Sequence, residues 1–370
     1  MIQSGLKVRQ ASLEDYQQIS SLENQYGLKA KGFEEWSHLW VDNPVYQDFR
    51  GDWPIGWVLE SGEKRILGSI GNIPLSYEFR GKKIVVSTGR NWVVDSRYRS
   101  YSVLLLDHYF SQENVDLFLE GGISHEASQA FKEFRTLPVP NGALDESFYW
   151  ITDYPAFARS ALRKKWMSVP KLLSYPLSVA LFCKDRVWTE PGRWHSTEVN
   201  VEACTHFDER FDGFWERLTT TRSNILMGLR TRRMLEWHFK FALLRKKAWI
   251  LIISNGPDLI SYAIFDRNDN RRLGLKRIIL ADFQSLDGDY ALLLPMLFCA
   301  LKRCERDGIH ILDVRGFCLE KRRLIEQFLP HRRQLPWWLY VYKAKNEALE
   351  QSLKSPNVWD PSAFDGDTTL

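Results

Sequence analysis

Cysteine is scarce and unpatterned in this chain. Five residues (Cys183, Cys204, Cys299, Cys304 and Cys318) make an odd number, with no CxxC pair and no histidine at zinc-ligand spacing. That excludes a disulfide framework and a zinc ribbon, and leaves free thiols in a reducing compartment as the expectation, with no metal. Residues 1–7 hold no basic stretch leading into an apolar run, so no signal peptide is read there. The longest apolar-biased stretch, 172–182, falls well short of the roughly 20 residues that span a bilayer. Together these absences predict a cytoplasmic protein. An excess of either charge is lacking as well: 50 Lys and Arg stand against 46 Asp and Glu, a net +4, too small to argue for nucleic acid by itself.

What the chain does contain is the profile of a folded protein. Its 370 residues are 44% hydrophobic and 26% charged, enough for two domains with separate cores. Trp occurs 15 times, suiting large cores and clefts for amphipathic ligands.

Pattern divides the first 137 residues into a β-α-α-β-β-β-α-β-α order. Strand patterns fall at 8–11, 55–60, 66–79, 84–94 and 115–119, with helices capped at Ser12 and running over 33–40 and 125–134. Residues 92–106 organise this half: a buried strand, a polar turn, then the first turns of an apolar helix. Such a strand–turn–helix aims backbone N–H groups at an anion.

Residues 138–197 are proline-rich and read as a helical connector. Between Arg159 and Arg193, eight basic residues face two acidic ones and alternate with Trp166, Leu172, Tyr175, Val179 and Phe182. An amphipathic basic segment of this kind, 159–194, fits either a solvated connector or an anionic membrane surface. From 198 to 345 the order of elements repeats. Glu236-Trp237-His238-Phe239 parallels Glu35-Trp36-Ser37-His38, and 290–294 echoes 101–106. A late strand at 336–344 closes the second copy, and 346–370 reads as a polar tail.

The run Val-Val-Asp-Ser-Arg-Tyr-Arg-Ser-Tyr-Ser-Val-Leu-Leu-Leu (93–106) resembles the acyl-CoA loop of the GNAT superfamily of N-acyltransferases, a strand followed by Arg/Gln-x-x-Gly-x-Gly/Ala and a helix. Arg99 takes the Arg/Gln position, with Ser102 and Leu104 at the two glycine positions. The plan of the chain is similar to tandem, Fem-type transferases and their relatives in polysaccharide biosynthesis. The resemblance implies an α/β (α+β) protein of two GNAT-like domains, each a mixed, largely antiparallel sheet with flanking helices. It implies acyl-CoA bound at Val93, Val94, Arg99, Ser100, Tyr101, Ser102 and Val103, and an amine acceptor that is an amino sugar or amino-acid-like intermediate. The tyrosine acid of the family falls on Phe131, which has no proton to give. The matching loop of the second half carries Asp287 and Asp289, which would repel a pyrophosphate.

Candidates for proton transfer are Glu120 where the strands splay, Asp282 on an apolar strand where burial would raise its pKa, and His125 at a helix start. Asp365 and Asp367 flank Gly366 in the tail. Besides acyl transfer to a small or lipid-linked amine, the sequence leaves open a Fem-like transferase using aminoacyl-tRNA and a non-catalytic GNAT-fold binding protein.

Overall fold

The computed structural model describes residues 5–49, 51–142, 144–164, 171–188, 199–335 and 339–370. The first half contributes strands Lys7–Gln10 (β1), Gly56–Glu60 (β2), Ile66–Phe79 (β3), Lys82–Val94 (β4), Leu117–Ile123 (β5), Leu137–Pro138 (β6) and Glu146–Ile151 (β7). The second contributes Glu202–Cys204 (β8), Met227–Gly228 (β9), Ala248–Asn255 (β10), Asp258–Arg267 (β11), Arg277–Ser285 (β12), Ile311–Arg315 (β13), His331–Gln334 (β14) and Leu339–Ala344 (β15).

Two sheets result. One runs β1-β2-β3-β4-β5-β15-β6, the other β14-β7-β13-β12-β11-β10-β8. Read from β1 and from β8, the two orders match position by position, and among the described residues the one parallel pair of strands in each joins strands linked through a helix: β4 with β5, and β12 with β13. Both sheets are therefore mixed, mostly antiparallel and flanked by helices, and the repeat read from the sequence is a repeat of topology. The central strands explain their own placement. Residues 278–285 of β12 are buried throughout, as expected of a strand covered on both faces. The helix Leu293–Arg306 turns Leu293, Met296, Leu297, Ala300 and Cys304 inward at helical spacing to cover that sheet.

Three expectations need correction. The stretch 146–151, read within a helical connector, is a strand of the second sheet. Its buried positions, Ser147, Phe148 and Ile151, do not alternate, and the surrounding prolines hide the strand further. The late strand belongs to the other sheet: β15 pairs with β5 and β6, covering the edge of the first. Third, the polar tail is a buried strap. Trp359 and Phe364 pack into the cores, while Asp360 meets Lys321 at 2.7 Å and Arg222 at 3.0 Å. Such pairing removes the usual objection to burying a carboxylate. Of the basic connector, helices Tyr154–Arg163 and Lys171–Trp188 are present, whereas 165–170 and 189–198 lie outside the described residues, as do 336–338 of the late strand.

The two related helices Phe33–Val41 and Arg232–Leu244 clasp each other. His38 Nε2 lies 2.9 Å from the Trp237 carbonyl, and Trp237 Nε1 donates to the His38 carbonyl at 3.0 Å. Lys240 adds an ion pair to Asp42 at 2.8 Å. No helix among the described residues is long and apolar enough to cross a membrane.

Candidate active site

β4 and β5 pair at Val86–Leu117 and Ser87–Phe118 and then part. Beyond that point β4 carries a bulge, with Asn91 and Trp92 together opposing Ile70 of β3. Asn91 takes the left-handed conformation there, φ 49°. A bulge turns backbone groups out of the ladder and into whatever lies beside it. Beside it lies a cavity of about 1060 Å3 whose walls come from both halves.

Glu120 sits at the apex of the splay. It is 5% exposed, and its Oε1 and Oε2 accept from the Gly89 N–H at 2.9 and 3.1 Å. The approach is close: a Cβ at Gly89 would stand 3.0 Å from Glu120 Oε2. Tyr109 Oη forms a short hydrogen bond with Glu120 Oε1 and lies 2.9 Å from Ser87 Oγ, which in turn donates to Asn72 Oδ1 at 2.7 Å. Three hydroxyl-type links join these four residues. Tyr109 is the donor to Glu120 here, and that bond favours the ionised carboxylate. Burial pushes the Glu120 carboxyl up to about 8, against the opposing bonds from Tyr109 and Gly89. A carboxylate so placed, within a cavity, is suited to accept a proton from an amine near neutral pH.

Asp282 has a different environment. It is fully buried, receives Arg230 Nε at 2.8 Å and Nη2 at 3.1 Å, and accepts from Tyr262 Oη at 2.8 Å and Ser362 Oγ at 2.9 Å. Burial alone would raise its pKa; the Arg230 charge and these donors outweigh it, so the carboxyl is held below the usual range. The expected rise is thus overturned, because the guanidinium sits within hydrogen-bond distance. Asp365 shares Arg230 at 3.5 Å and is pushed up by burial. The strap also seats its Phe364 N–H on the Ala281 carbonyl at 2.9 Å, where β12 bulges. In the second half, then, backbone at the bulge is taken by the chain's own strap, whereas in the first half the bulge faces the cavity.

His125 is exposed at the start of the helix His125–Glu133 and is not among the cavity-lining residues. The turn 96–101 is a 3-10 segment leading into the helix Ser102–Phe110, which has no side-chain cap on its first N–H groups. Arg97 is taken up by Asp95 at 2.8 Å, while Arg99 and Ser100 are exposed. Val93 packs in the core on one face of β4 and Val94 against the cluster on the other; Tyr101 and Ser102 are half-buried, and Val103 is exposed. These residues lie outside the cavity wall, on the approach to the splay. The segment opens on a cap, the Asp95 side chain accepting from the Arg97 N–H, and the Ser102 N–H is taken by the Arg99 carbonyl. Past Ser87 no described strand pairs with β4 on the β5 side, and Trp92 Nε1, on the cavity wall, is buried without a partner among the described residues.

Of the two tail carboxylates that flank Gly366, Asp367 lines the cavity, paired with Arg90 at 3.8 Å. Sequence reasoning missed Arg277, Arg315 and Arg333, which share the cavity with Glu120. Among the described residues no group of three or more His, Cys, Asp or Glu could hold a metal ion.

No protein-family model matches the sequence, and no curated protein matches it either. Solved structures do. The chain resembles Saccharomyces cerevisiae N-myristoyltransferase with bound myristoyl-CoA at 11% identity and TM-score 0.59, covering 93% of this chain and 80% of that one. GCN5-related N-acetyltransferases from Anabaena variabilis (12% identity, TM-score 0.55, 92% and 73% covered) and Kribbella flavida (9%, 0.55, 92% and 71%) match similarly. At such identities the likeness is one of fold, and the fold is the tandem GNAT-like arrangement.

Proposed function

We propose that the protein is an N-acyltransferase that moves an acyl group from acyl-CoA to an amine held in the cavity. One observation carries this reading: a buried carboxylate, Glu120, at the apex of a strand splay, facing a cavity of about 1060 Å3 beside a bulged strand. The kinship in fold with acyltransferases, one of them crystallised with myristoyl-CoA, supports the donor class.

Bound acyl-CoA would supply an activated thioester. Arg99, Ser100, Tyr101, Ser102 and Val103 would hold its phosphates at the helix start, with Val93 and Val94 leading from there to the open β4 edge. Glu120 takes a proton from the acceptor ammonium. The free amine would then attack the thioester carbonyl, the C–S bond would break, and CoA would leave as the thiol after taking up the proton shed by the new amide nitrogen. The bulge at Asn91–Trp92 frees backbone donors at the cavity wall, where negative charge develops on a carbonyl oxygen. Asp282, bound to Arg230 away from the cavity, fixes the strap instead. The acceptor is read, from the sequence resemblance, as an amino sugar or amino-acid-like intermediate of cell-surface polysaccharide synthesis.

The test is thermal unfolding with acetyl-CoA and a series of longer acyl-CoAs. A ligand at about 100 times its Kd stabilises by about 2.7 kcal/mol, a shift of a few degrees for a chain of this size. A shift with one or more chain lengths is expected; none with any of them overturns the reading.

A further inference from the structure

A helix that packs on a domain turns its apolar side chains inward and its polar ones to water. The helix Lys171–Trp188 departs from this over its middle turns. Ser174 and Ser178 are buried, Ser178 with its hydroxyl on the Tyr175 carbonyl at 2.8 Å. Tyr175, Val179 and Phe182, at helical spacing on the outward side, are 67%, 42% and 43% exposed. Phe182 keeps that exposure while touching Tyr154 edge-on at 5.5 Å. Pro176, Ala180 and Cys183 are exposed beside them, and Lys184 is the one charged residue exposed with them on this helix among the described residues. Apolar residues scattered singly over a surface need no explanation; a continuous face of them on one helix does.

Charge borders this face. The helices Tyr154–Arg163 and Lys171–Trp188 and the turn 268–276 between β11 and β12 share a small core through Tyr154, Phe157, Leu181 and Leu273. Ser160 Oγ also donates to the Gly274 carbonyl of that turn at 3.3 Å. Exposed on or next to these elements are Arg163, Lys164, Lys184, Arg271 and Arg272, none of them in an ion pair among the described residues. The acidic residues of the same elements have other partners. Asp153 caps the first helix, accepting the Ala156 N–H at 2.9 Å, and Asp269 pairs with Arg267 at 2.8 Å. Asp185, whose charge also acts on neighbouring Lys184, accepts from Tyr154 Oη at 2.8 Å and lies 3.0 Å from His331 Nε2. An apolar helix face bordered by Lys and Arg suits a bilayer with anionic headgroups. A two-fold dimer through the same face would instead bring these cations toward their own copies.

We propose that the helix Lys171–Trp188 lies on an anionic bilayer, with Tyr175, Val179 and Phe182 among the lipid headgroups and Arg163, Lys164, Lys184, Arg271 and Arg272 drawn to their negative charge. The protein then works at a membrane surface. The contact is independent of the acyl-transfer reading, since it uses neither Glu120 nor the cavity. It does set where the cavity stands, because the helix Tyr154–Arg163 both packs on Lys171–Trp188 and lends Phe157, Ser160 and Ala161 to the cavity wall.

Co-sedimentation of the full chain with vesicles tests the contact. The vesicles are phosphatidylcholine alone, or phosphatidylcholine with about 30% phosphatidylserine. Variants, each first checked for an unchanged melting profile, are Tyr175→Ser with Val179→Ser, which removes apolar surface and keeps charge, and Lys184→Glu. Lys82→Glu, on the β3–β4 turn, is the charge-matched control. The wild type should pellet with the anionic vesicles and be released by about 0.5 M salt. The double Ser variant and Lys184→Glu should each bind about tenfold more weakly, and Lys82→Glu should bind like the wild type. No pelleting of the wild type with anionic vesicles overturns the proposal. So does equal pelleting with phosphatidylcholine alone, binding that the double Ser variant leaves unchanged, or equal losses in Lys184→Glu and Lys82→Glu. Sedimentation velocity without lipid covers the other occupant: a wild-type dimer that the double Ser variant splits assigns the face to a second copy of the chain and overturns the membrane contact.

Discussion

The Glu120 carboxylate accepts the Gly89 N–H across a gap where β4 and β5 have already ceased to pair, so a side chain stands in for the missing backbone bond. Gly89→Ala puts a methyl group 3.0 Å from Glu120 Oε2, and the carboxylate must move by a few tenths of an ångström. The expected outcome is a fall in kcat of about tenfold or more with KM for acyl-CoA little changed, since geometry at the proton acceptor is altered and donor binding is not. Steady-state kinetics of the purified variant decide it; an unchanged kcat would remove Glu120 from the reaction.

The pH dependence follows from the carboxyl of Glu120 titrating at about 8 rather than 4.5. As a proton acceptor it must be ionised, so kcat/KM should rise with pH and level off above about 8. Stability runs the other way. Between pH 4.5 and 8 the folded protein binds a proton that the unfolded chain has released, so this group's contribution to stability falls as pH rises through that window. Glu120→Gln removes the titration. The variant should lose activity, yet gain melting temperature over the wild type progressively from pH 5 to about pH 8 and level off above it. A gain that is flat with pH would contradict the raised pKa.

Tyr109→Phe deletes the hydroxyl that links Glu120 to Ser87 and leaves the ring in its aromatic cluster. One donor to the ionised carboxylate is lost, so the pH–rate profile should move to higher pH, by up to about one unit. A profile that stays in place, whatever happens to the rate, speaks against the coupling.

Arg230 is 1% exposed and bridges Asp282 of the second sheet to Asp365 of the strap. Arg230→Met strands two buried carboxyl groups, and breaking a buried pair from one side costs about 3–5 kcal/mol. Denaturant unfolding should show that loss. Arg230→Met combined with Asp282→Leu should recover part of it, whereas additive losses would mean the pair is not coupled.

Much of this arrangement can be read in the sequence, for reasons that differ from residue to residue. The loop 93–106 is legible because a strand alternation gives way, across five polar residues, to a helical run. Glu120 is legible because it ends an apolar strand next to two glycines. The burial of Asp282 is legible too, but its partner Arg230 precedes it by 52 residues, and without that partner burial alone argues for the wrong sign of shift. Arg277 and Arg315 come from the directly paired β12 and β13, but Arg333 joins them on β14 only because β7 enters the second sheet, an event that the proline-rich stretch around it conceals. The strap looks solvent-exposed because its carboxylates are apparent and the arginines and lysine that neutralise them are far away in the chain.

The strand exchange also sets a timetable for synthesis. β5 leaves the ribosome early, but the strand that covers its outer edge, β15, is translated more than two hundred residues later. At about 5–20 residues per second the nascent first sheet waits roughly 10–40 s with a hydrogen-bonding edge open. Folding of the first half is thereby tied to completion of the second, and the edge of β5 is where a nascent-chain chaperone has most to protect.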